Sequence, residues 1–270
     1  MIAKTTQQLR KIWTQIICSR RTEMRERPTY RVELVEGLLR ESAPNKRDLA
    51  PGEVVVALGQ PVECVKPERQ SALMNILSDE ERERHNRFHF ERDRALYLTA
   101  HALLRVTLSR YANVDPQLWQ FRAGKYGRPE IVEPRSRLRF NLSHTNGLAA
   151  CAIVLDRDIG MDVECVTRDV PIDVANSNFS PRERSDILRA SAAARARRFL
   201  EYWTLKEAYI KARGVGLSLP LDHFTFYKDE SGFWRIHFEK PLCDDPQRWQ
   251  FWSWQMGDGH QIALALDLGD

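Results

Sequence analysis

Apolar positions recur at helical spacing through Phe199–Leu219, with Phe199, Trp203 and Ile210 in the repeat and Leu200 and Leu205 on its flank. Lys211 and Arg213 precede Gly214 and Gly216, so the pattern predicts a helix with a basic last turn that stops at residues tolerant of positive φ. A second helix is predicted over Ala95–Tyr111, where Leu96, Leu98, Ala102, Leu103 and Val106 make most faces apolar; this is a central core helix. Before it, Ser78-Asp79-Glu80-Glu81 has the form of a capping box, serine at the N-cap and glutamate three residues on. Ser180-Pro181-Arg182-Glu183 opens another helix, with serine capping and proline at the first position.

Strands are predicted at Val54–Leu58, Trp119–Arg122, Leu138–Leu142, Leu148–Leu155 and Ile159–Glu164. More follow at His223–Tyr227, Trp234–Phe238, Trp249–Gln255 and Gln261–Leu268, the last two joined by the hairpin turn Gly257-Asp258-Gly259. Arg168–Asn178 reads as a loop. A core helix, a strand, a glycine-containing turn and a strand occur at 95–132 and again at 199–238. The expectation is an α+β chain of two similar halves, joined near Asp156–Thr167 and packed face to face, with the site in the cleft between them. We place the halves at 53–158 and 159–270, and read 1–52, rich in Arg, Thr, Gln and Glu, as a poorly ordered basic extension.

Charge sharpens that division. The first 50 of the 270 residues hold 11 Lys/Arg and 6 Asp/Glu, a balance of +5, while the whole chain carries +4. The body is therefore slightly acidic, which argues against a nucleic-acid-binding surface. No apolar run approaches the ~20 residues of a membrane span, and the N-terminus lacks the apolar core of a secretory signal. Five cysteines without paired spacing are expected as reduced thiols in a cytosolic protein.

Four places carry candidate chemistry. In Ile159–Glu164, strand alternation sets Met161 and Val163 on one face and Asp162 and Glu164 on the other. The two acids start ~6.5–7 Å apart along the backbone. They are either ligands of one hard cation, Mg²⁺ rather than zinc because no His or Cys accompanies them, or a solvated strand edge. Glu207 and Lys211, four apart on one helical face, are either a surface ion pair or a metal ligand beside a phosphate contact. Gly124-Lys125-Tyr126-Gly127-Arg128-Pro129 is either an anion-binding turn or a plain hairpin. His144, at the end of a strand, is either structural or functional.

Three blocks taken together, Asn141-Leu142-Ser143-His144, Gly160-Met161-Asp162-Val163-Glu164 and Trp203-Thr204-Leu205-Lys206-Glu207-Ala208-Tyr209-Ile210-Lys211, resemble the 4′-phosphopantetheinyl transferases of the surfactin-synthetase-activating (Sfp) type. Arg87-Phe88, Gly127-Arg128-Pro129 and Gly214–Leu221 look like that family too, so the match runs from about Ser78 to Leu221. The resemblance implies a pseudo-dimer of two α/β halves that binds coenzyme A and Mg²⁺ in its cleft. It implies transfer of the phosphopantetheine arm to a serine of an acyl- or peptidyl-carrier protein, serving fatty acid, polyketide or peptide synthesis. By the same resemblance Asp162, Glu164 and Glu207 fall on metal-binding acids, and His144 and Lys211 on phosphate contacts of coenzyme A. Arg128 takes the place of a frequent lysine, and Ser143 and Arg84 fall on or near the nucleotide. Glu81 departs from the pattern, standing where the family can carry a cation for the 3′-phosphate. A cytoplasmic monomer is expected, with no nucleic-acid or membrane partner; Phe179–Arg198 is the expected carrier-docking region.

The chemistry suits these residues: attack on a pyrophosphate phosphorus needs its oxygens neutralised and a base near the serine, for which Glu207 is the candidate. A non-catalytic carrier-binding protein of the same fold would be expected to lack an acid or Lys211, and all are present. A metal-dependent nuclease would carry Glu-x-Lys on the strand, whereas Glu164 is followed by Cys165 and Val166.

Overall fold

In the computed structural model, which describes residues 31–36, 47–61, 67–167, 170 and 175–269, one succession of elements occurs twice. The first pass runs from β2 (Glu53–Gly59) through α1 (Pro67–Asn75), α2 (Asp79–Arg87) and α3 (Glu91–Tyr111). It continues through the hairpin β3 (Gln120–Ala123) and β4 (Pro129–Glu133) to β5 (Leu138–Thr145) and β6 (Leu148–Leu155). The second pass begins at β7 (Ile159–Cys165) and, after a single turn at Ala175–Asn178, enters α4 (Pro181–Arg189) and α5 (Ala192–Arg213). The hairpin β8 (Phe224–Lys228) and β9 (Trp234–Phe238) then leads to β10 (Trp249–Met256) and β11 (His260–Asp267). Strand order repeats as well: β2-β6-β5 in one sheet answers β7-β11-β10 in the other.

Strand alternation sorts the side chains into three cores. Val55, Ala57, Ala149, Cys151 and Ile153 face α3, and Phe251, Ala263 and Ala265 face α5. The opposite faces of both sheets meet in a third cluster, with Val54, Val56, Leu148, Ala150 and Ala152 from one and Met161, Val163, Ile262 and Leu264 from the other. β6 and β11 are thus buried on both sides, which is why their sequences read as apolar runs rather than alternating ones.

Several expectations need correction. The segment read as a poorly ordered extension contributes β1 (Arg31–Glu36), paired parallel to β2 from Arg31↔Glu53 to Glu36↔Leu58. Val32 is 8% exposed in the third cluster, and Leu49 is 7% exposed against α3. Residues 1–30 and 37–46 lie outside the described residues, as do 168–169 and 171–174 of the expected loop. Helix α5 starts at Ala192, seven residues before the apolar repeat, because Ala and Arg are good helix formers and need no apolar face. It ends as expected: Gly214 adopts φ 61° and its N–H reaches the carbonyls of Ile210 and Lys211. β5 runs on to Thr145, so His144 lies within a strand.

Each helical pair is fastened by the same device. Ser78 and Glu81 form a capping box on α2, and the Glu81 carboxylate also accepts from His101 Nδ1 at 2.9 Å and Arg105 Nε at 2.8 Å, both on α3. Ser180 and Glu183 form the second box on α4, and Glu183 pairs with Lys206 on α5 at 2.9 Å, both side chains fully buried. Lys206 spends its other two protons on the carbonyls of Leu221 (2.6 Å) and Phe224 (2.7 Å), and Glu183 Oε1 accepts the Phe226 N–H at 2.8 Å. A buried ion pair is tolerable only when satisfied in this way; removing one partner strands the other and costs ~3–5 kcal/mol.

Two predictions follow from these contacts. Burying Val32 and Leu49 is worth ~1.5–3 kcal/mol each. A chain beginning at Gly52 should therefore lose about 3–6 kcal/mol in urea unfolding, and an unchanged urea midpoint would contradict the place given to β1. For Glu81, burial alone would raise the pKa, but hydrogen bonds from His101 and the Ser78 N–H, together with the Arg105 charge, hold it down at about 2. A pKa depressed in the folded state gives stability that is complete above the unfolded value near 4.5 and is lost as pH falls toward 2. Roughly 3 kcal/mol should disappear across that window. In acid titrations of unfolding, Glu81→Gln should show a flatter slope between those limits; an identical slope would refute the assignment.

Candidate active site

The site begins where the two sheets adjoin. Strand β7 presents outward N–H groups at Met161, Val163 and Cys165, and side chains of β5 accept them: Asn141 Oδ1 at 2.9 Å, Ser143 Oγ at 3.3 Å and Thr145 Oγ1 at 3.3 Å. The partners climb together in steps of two, so the strands run parallel, joined by side chains instead of carbonyls. Its other edge pairs with β11, and on one face β7 presses against α5. A Cβ at Gly160 would lie 2.0 Å from the Ala208 carbonyl oxygen and 2.3 Å from the Ala212 nitrogen, so only glycine permits this approach.

That approach sets Asp162 beside the exposed end of α5. Lys211 Nζ lies 2.6 Å from Asp162 Oδ1 and 3.1 Å from Ser143 Oγ, while Ser143 donates to Asp162 Oδ1 at 3.1 Å. The Ser143 hydroxyl thus uses its one proton and both lone pairs within the protein. Asp162 is buried, and its Oδ2 has no hydrogen-bond partner. Glu207 and Glu164 are half-buried. Burial, then the nearby Asp162 and Glu164 charges against the opposing pull of Lys211, raises the Glu207 carboxyl above the ordinary range. Lys211 turns to Asp162 and Ser143, and among the described residues no ion pair joins it to Glu207.

A second group extends the site toward α2. Partial burial, followed by the nearby His101 and Lys211, lowers the His144 pKa below its ordinary value. His101 stacks on Tyr97 with ring centroids 4.0 Å apart, and the Arg84 guanidinium lies 5.9 Å from the Tyr97 centroid. Arg84, His144, Ser143, Asp162, Glu207 and Lys211 are therefore linked through neighbouring groups. Glu81 is fully occupied as the α2–α3 fastener and cannot double as an anion contact.

Arg128 is placed differently. Its Nη1 donates to the Ala212 carbonyl at 2.7 Å and its Nη2 to Asp158 at 2.5 Å, fastening the Gly124–Pro129 turn to the C-terminal end of α5. Each terminal nitrogen keeps a second proton and Nε is without a hydrogen-bond partner, but the two bonds fix the guanidinium against α5.

The donor set suits a hard cation. Asp162 and Glu164 act electrostatically on Glu207, and the partnerless Asp162 Oδ2 is an oxygen that such an ion satisfies. Among the described residues, however, no three His, Cys, Asp or Glu side chains stand together as a ready-made metal site. Lys211 at Asp162 Oδ1 is the nearest cation, and closure of the ligand set requires the carboxylates to draw in.

Two sequence profiles divide the folded chain between them. One described as the 4′-phosphopantetheinyl transferase superfamily matches residues 158–265, and one described as 4′-phosphopantetheinyl transferase, N-terminal, matches residues 65–154. Among curated relatives, the 4′-phosphopantetheinyl transferase Sfp of Bacillus subtilis (strain 168) is 30% identical over 198 residues, covering 73% of this chain and 85% of its own. The 4′-phosphopantetheinyl transferase ffp of Bacillus subtilis is 33% identical over 203 residues, covering 75% and 88%. The chain is thus an enzyme that belongs to the 4′-phosphopantetheinyl transferase superfamily.

Proposed function

We propose that the chain moves the 4′-phosphopantetheine group of coenzyme A onto a serine hydroxyl of an acyl- or peptidyl-carrier protein, in a Mg²⁺-dependent reaction that releases adenosine 3′,5′-bisphosphate. One observation carries the reading: Asp162, with an unsatisfied carboxylate oxygen, is held against Lys211 while the Glu207 carboxyl, raised by burial, lies within the same field. Asp162, Glu164 and Glu207 would hold Mg²⁺, whose charge neutralises the pyrophosphate and its leaving oxygen.

This chain's residues then divide the work. Lys211 moves its ammonium from Asp162 to a phosphate of coenzyme A, with His144 beside it and Arg84 toward the nucleotide. The serine oxygen bonds to the phosphorus bearing the pantetheine arm as the bond from that phosphorus to the bridging oxygen breaks. The bridging oxygen leaves with its electron pair on adenosine 3′,5′-bisphosphate. Glu207 takes the serine proton, directly or through one water. Ser143 keeps Asp162 and Lys211 together before coenzyme A arrives.

The same reading treats 53–158 and 159–270 as pseudo-symmetric halves with the site in the cleft between them. The repeated succession, the matching strand orders and the paired capping-box glutamates support it. The reading takes the enzyme as a cytoplasmic monomer that modifies its carriers in solution; among the described residues no helix is long and apolar enough to cross a membrane.

Incubation with coenzyme A, Mg²⁺ and an apo carrier, followed by mass spectrometry of the carrier, tests the reading. With Glu207→Gln, turnover should fall by about 10²–10⁴, the usual worth of a positioned base, with coenzyme A affinity and melting temperature nearly unchanged. Lys211→Arg keeps the charge but not the compact ammonium and should also impair transfer. A surface ion pair would predict ~0.2–1 kcal/mol of stability and no change in rate. Full transfer by both variants would overturn the proposal.

His144 generates a second prediction. With its pKa already lowered by burial, His101 and Lys211, the imidazole is neutral near pH 7. A phosphate placed beside it favours the protonated form, so coenzyme A should bind with proton uptake and bind more tightly as pH falls from 7.5 to 6. Calorimetry in buffers of different ionisation enthalpy should show that uptake in the wild type and its loss in His144→Ala. Equal uptake in both would remove His144 from the phosphate contacts.

A further inference from the structure

We infer that Asn141 and Thr145 are positioning residues for the two acids of β7, acting with Ser143 through the strand's backbone rather than by touching a ligand. Within a sheet, N–H groups are met by carbonyls of the next strand, and an edge strand leaves its outward row without that pairing. The edge of β7 is met instead by three side chains from alternate positions of β5. Those bonds fall on both sides of each acid. Asp162 lies between the Met161 N–H held by Asn141 and the Val163 N–H held by Ser143. Glu164 lies between that same Val163 N–H and the Cys165 N–H held by Thr145.

A side-chain acceptor reaches the strand from farther away than a carbonyl and fixes its distance by its own length. An amide, a hydroxymethyl and a threonine hydroxyl therefore set how far β7 stands from β5, and so how it presents its acids to α5. The other contacts of β7 cannot compensate: its opposite edge is paired to β11, and on the side facing α5 Gly160 already lies against helix backbone atoms. Asn141 is buried at the first step of this seam, and its Oδ1 is the acceptor that the Met161 N–H is given. The bonds fix two acids without contacting either through Asn141 or Thr145, which is the arrangement that lets outer partners tune a metal site.

The inference rests on reading Asp162 and Glu164 as metal ligands, so the experiment separates the two claims. Thr145→Val is nearly isosteric and removes only the acceptor; Thr145→Ser restores a hydroxyl; Asn141→Leu removes the buried acceptor. Two readouts are taken on the full chain: Mn²⁺ binding by electron paramagnetic resonance, with Mn²⁺ alone as the probe, and amide hydrogen exchange over Ile159–Cys165. Thr145→Val should bind Mn²⁺ about 10-fold more weakly, as loss of an outer-shell partner does, while exchange over β7 speeds up. Thr145→Ser should return both readouts to the wild-type values. Asn141→Leu, where it folds, should exceed Thr145→Val in both. If Thr145→Val keeps wild-type Mn²⁺ affinity and wild-type exchange, the positioning role is overturned. If the wild type itself binds no Mn²⁺, the metal reading fails, and the seam is then judged by exchange alone: unchanged rates over β7 in Thr145→Val overturn it, faster rates support it.

Discussion

The backbone of β7 lies against α5 at Gly160 with no room for a side chain, and the geometry of the proposed site depends on that contact. It brings a strand whose alternate residues are acids against a helix whose adjoining turn carries Glu207 and Lys211. Periodicity does the remainder: two residues past the glycine is Asp162 on the same face, and three residues past Ala208 is Lys211. The Lys211–Asp162 pair at 2.6 Å is the outcome, a cation and an anion from opposite sides of the contact. The polar seam with β5 and the backbone ladder with β11 complete the constraint at the two edges of β7.

The repeated half shows how one architecture carries two different edges. In the second sheet, the edge of β7 is met in parallel by β5 through side chains. In the first sheet, the corresponding edge of β2 is met in parallel by β1 through ordinary backbone pairing. The two edges are thus covered by different means, and the one with polar side chains adjoins the proposed site. The fasteners differ in the same spirit: Glu81 holds arginine and histidine near the open flank of the site, whereas Glu183 and Lys206 are sealed beneath α5.

Much of this was legible in the sequence, because it is written in short-range pattern. Alternation placed Met161 and Val163 in a core with Asp162 and Glu164 opposite, and Ser78 with Glu81 announced a helix start. What escaped depends on contacts between distant segments. Lys206, next to Glu207, looks like one half of a charged surface pair, yet its proton partners come from residues 183, 221 and 224. Arg128 has a side chain fit for a phosphate, and nothing local tells that the Ala212 carbonyl and Asp158 take it first. Asn141 and Thr145 act as strand-edge acceptors only because β7 stands beside them. β1 is six residues of mixed charge, and the alternation of Val32 and Leu34 was its one available signal.

The proposed site requires β7 and α5 to touch at Gly160. The measurement that tests it most directly is carrier modification by Gly160→Ala, followed by mass spectrometry under conditions where hydrogen exchange shows α3 and the first sheet still folded. A methyl group there must displace Ala208 and Ala212 backbone atoms, so the account predicts that transfer collapses while the first sheet keeps its protection. Transfer at the wild-type rate by a folded Gly160→Ala chain would contradict it.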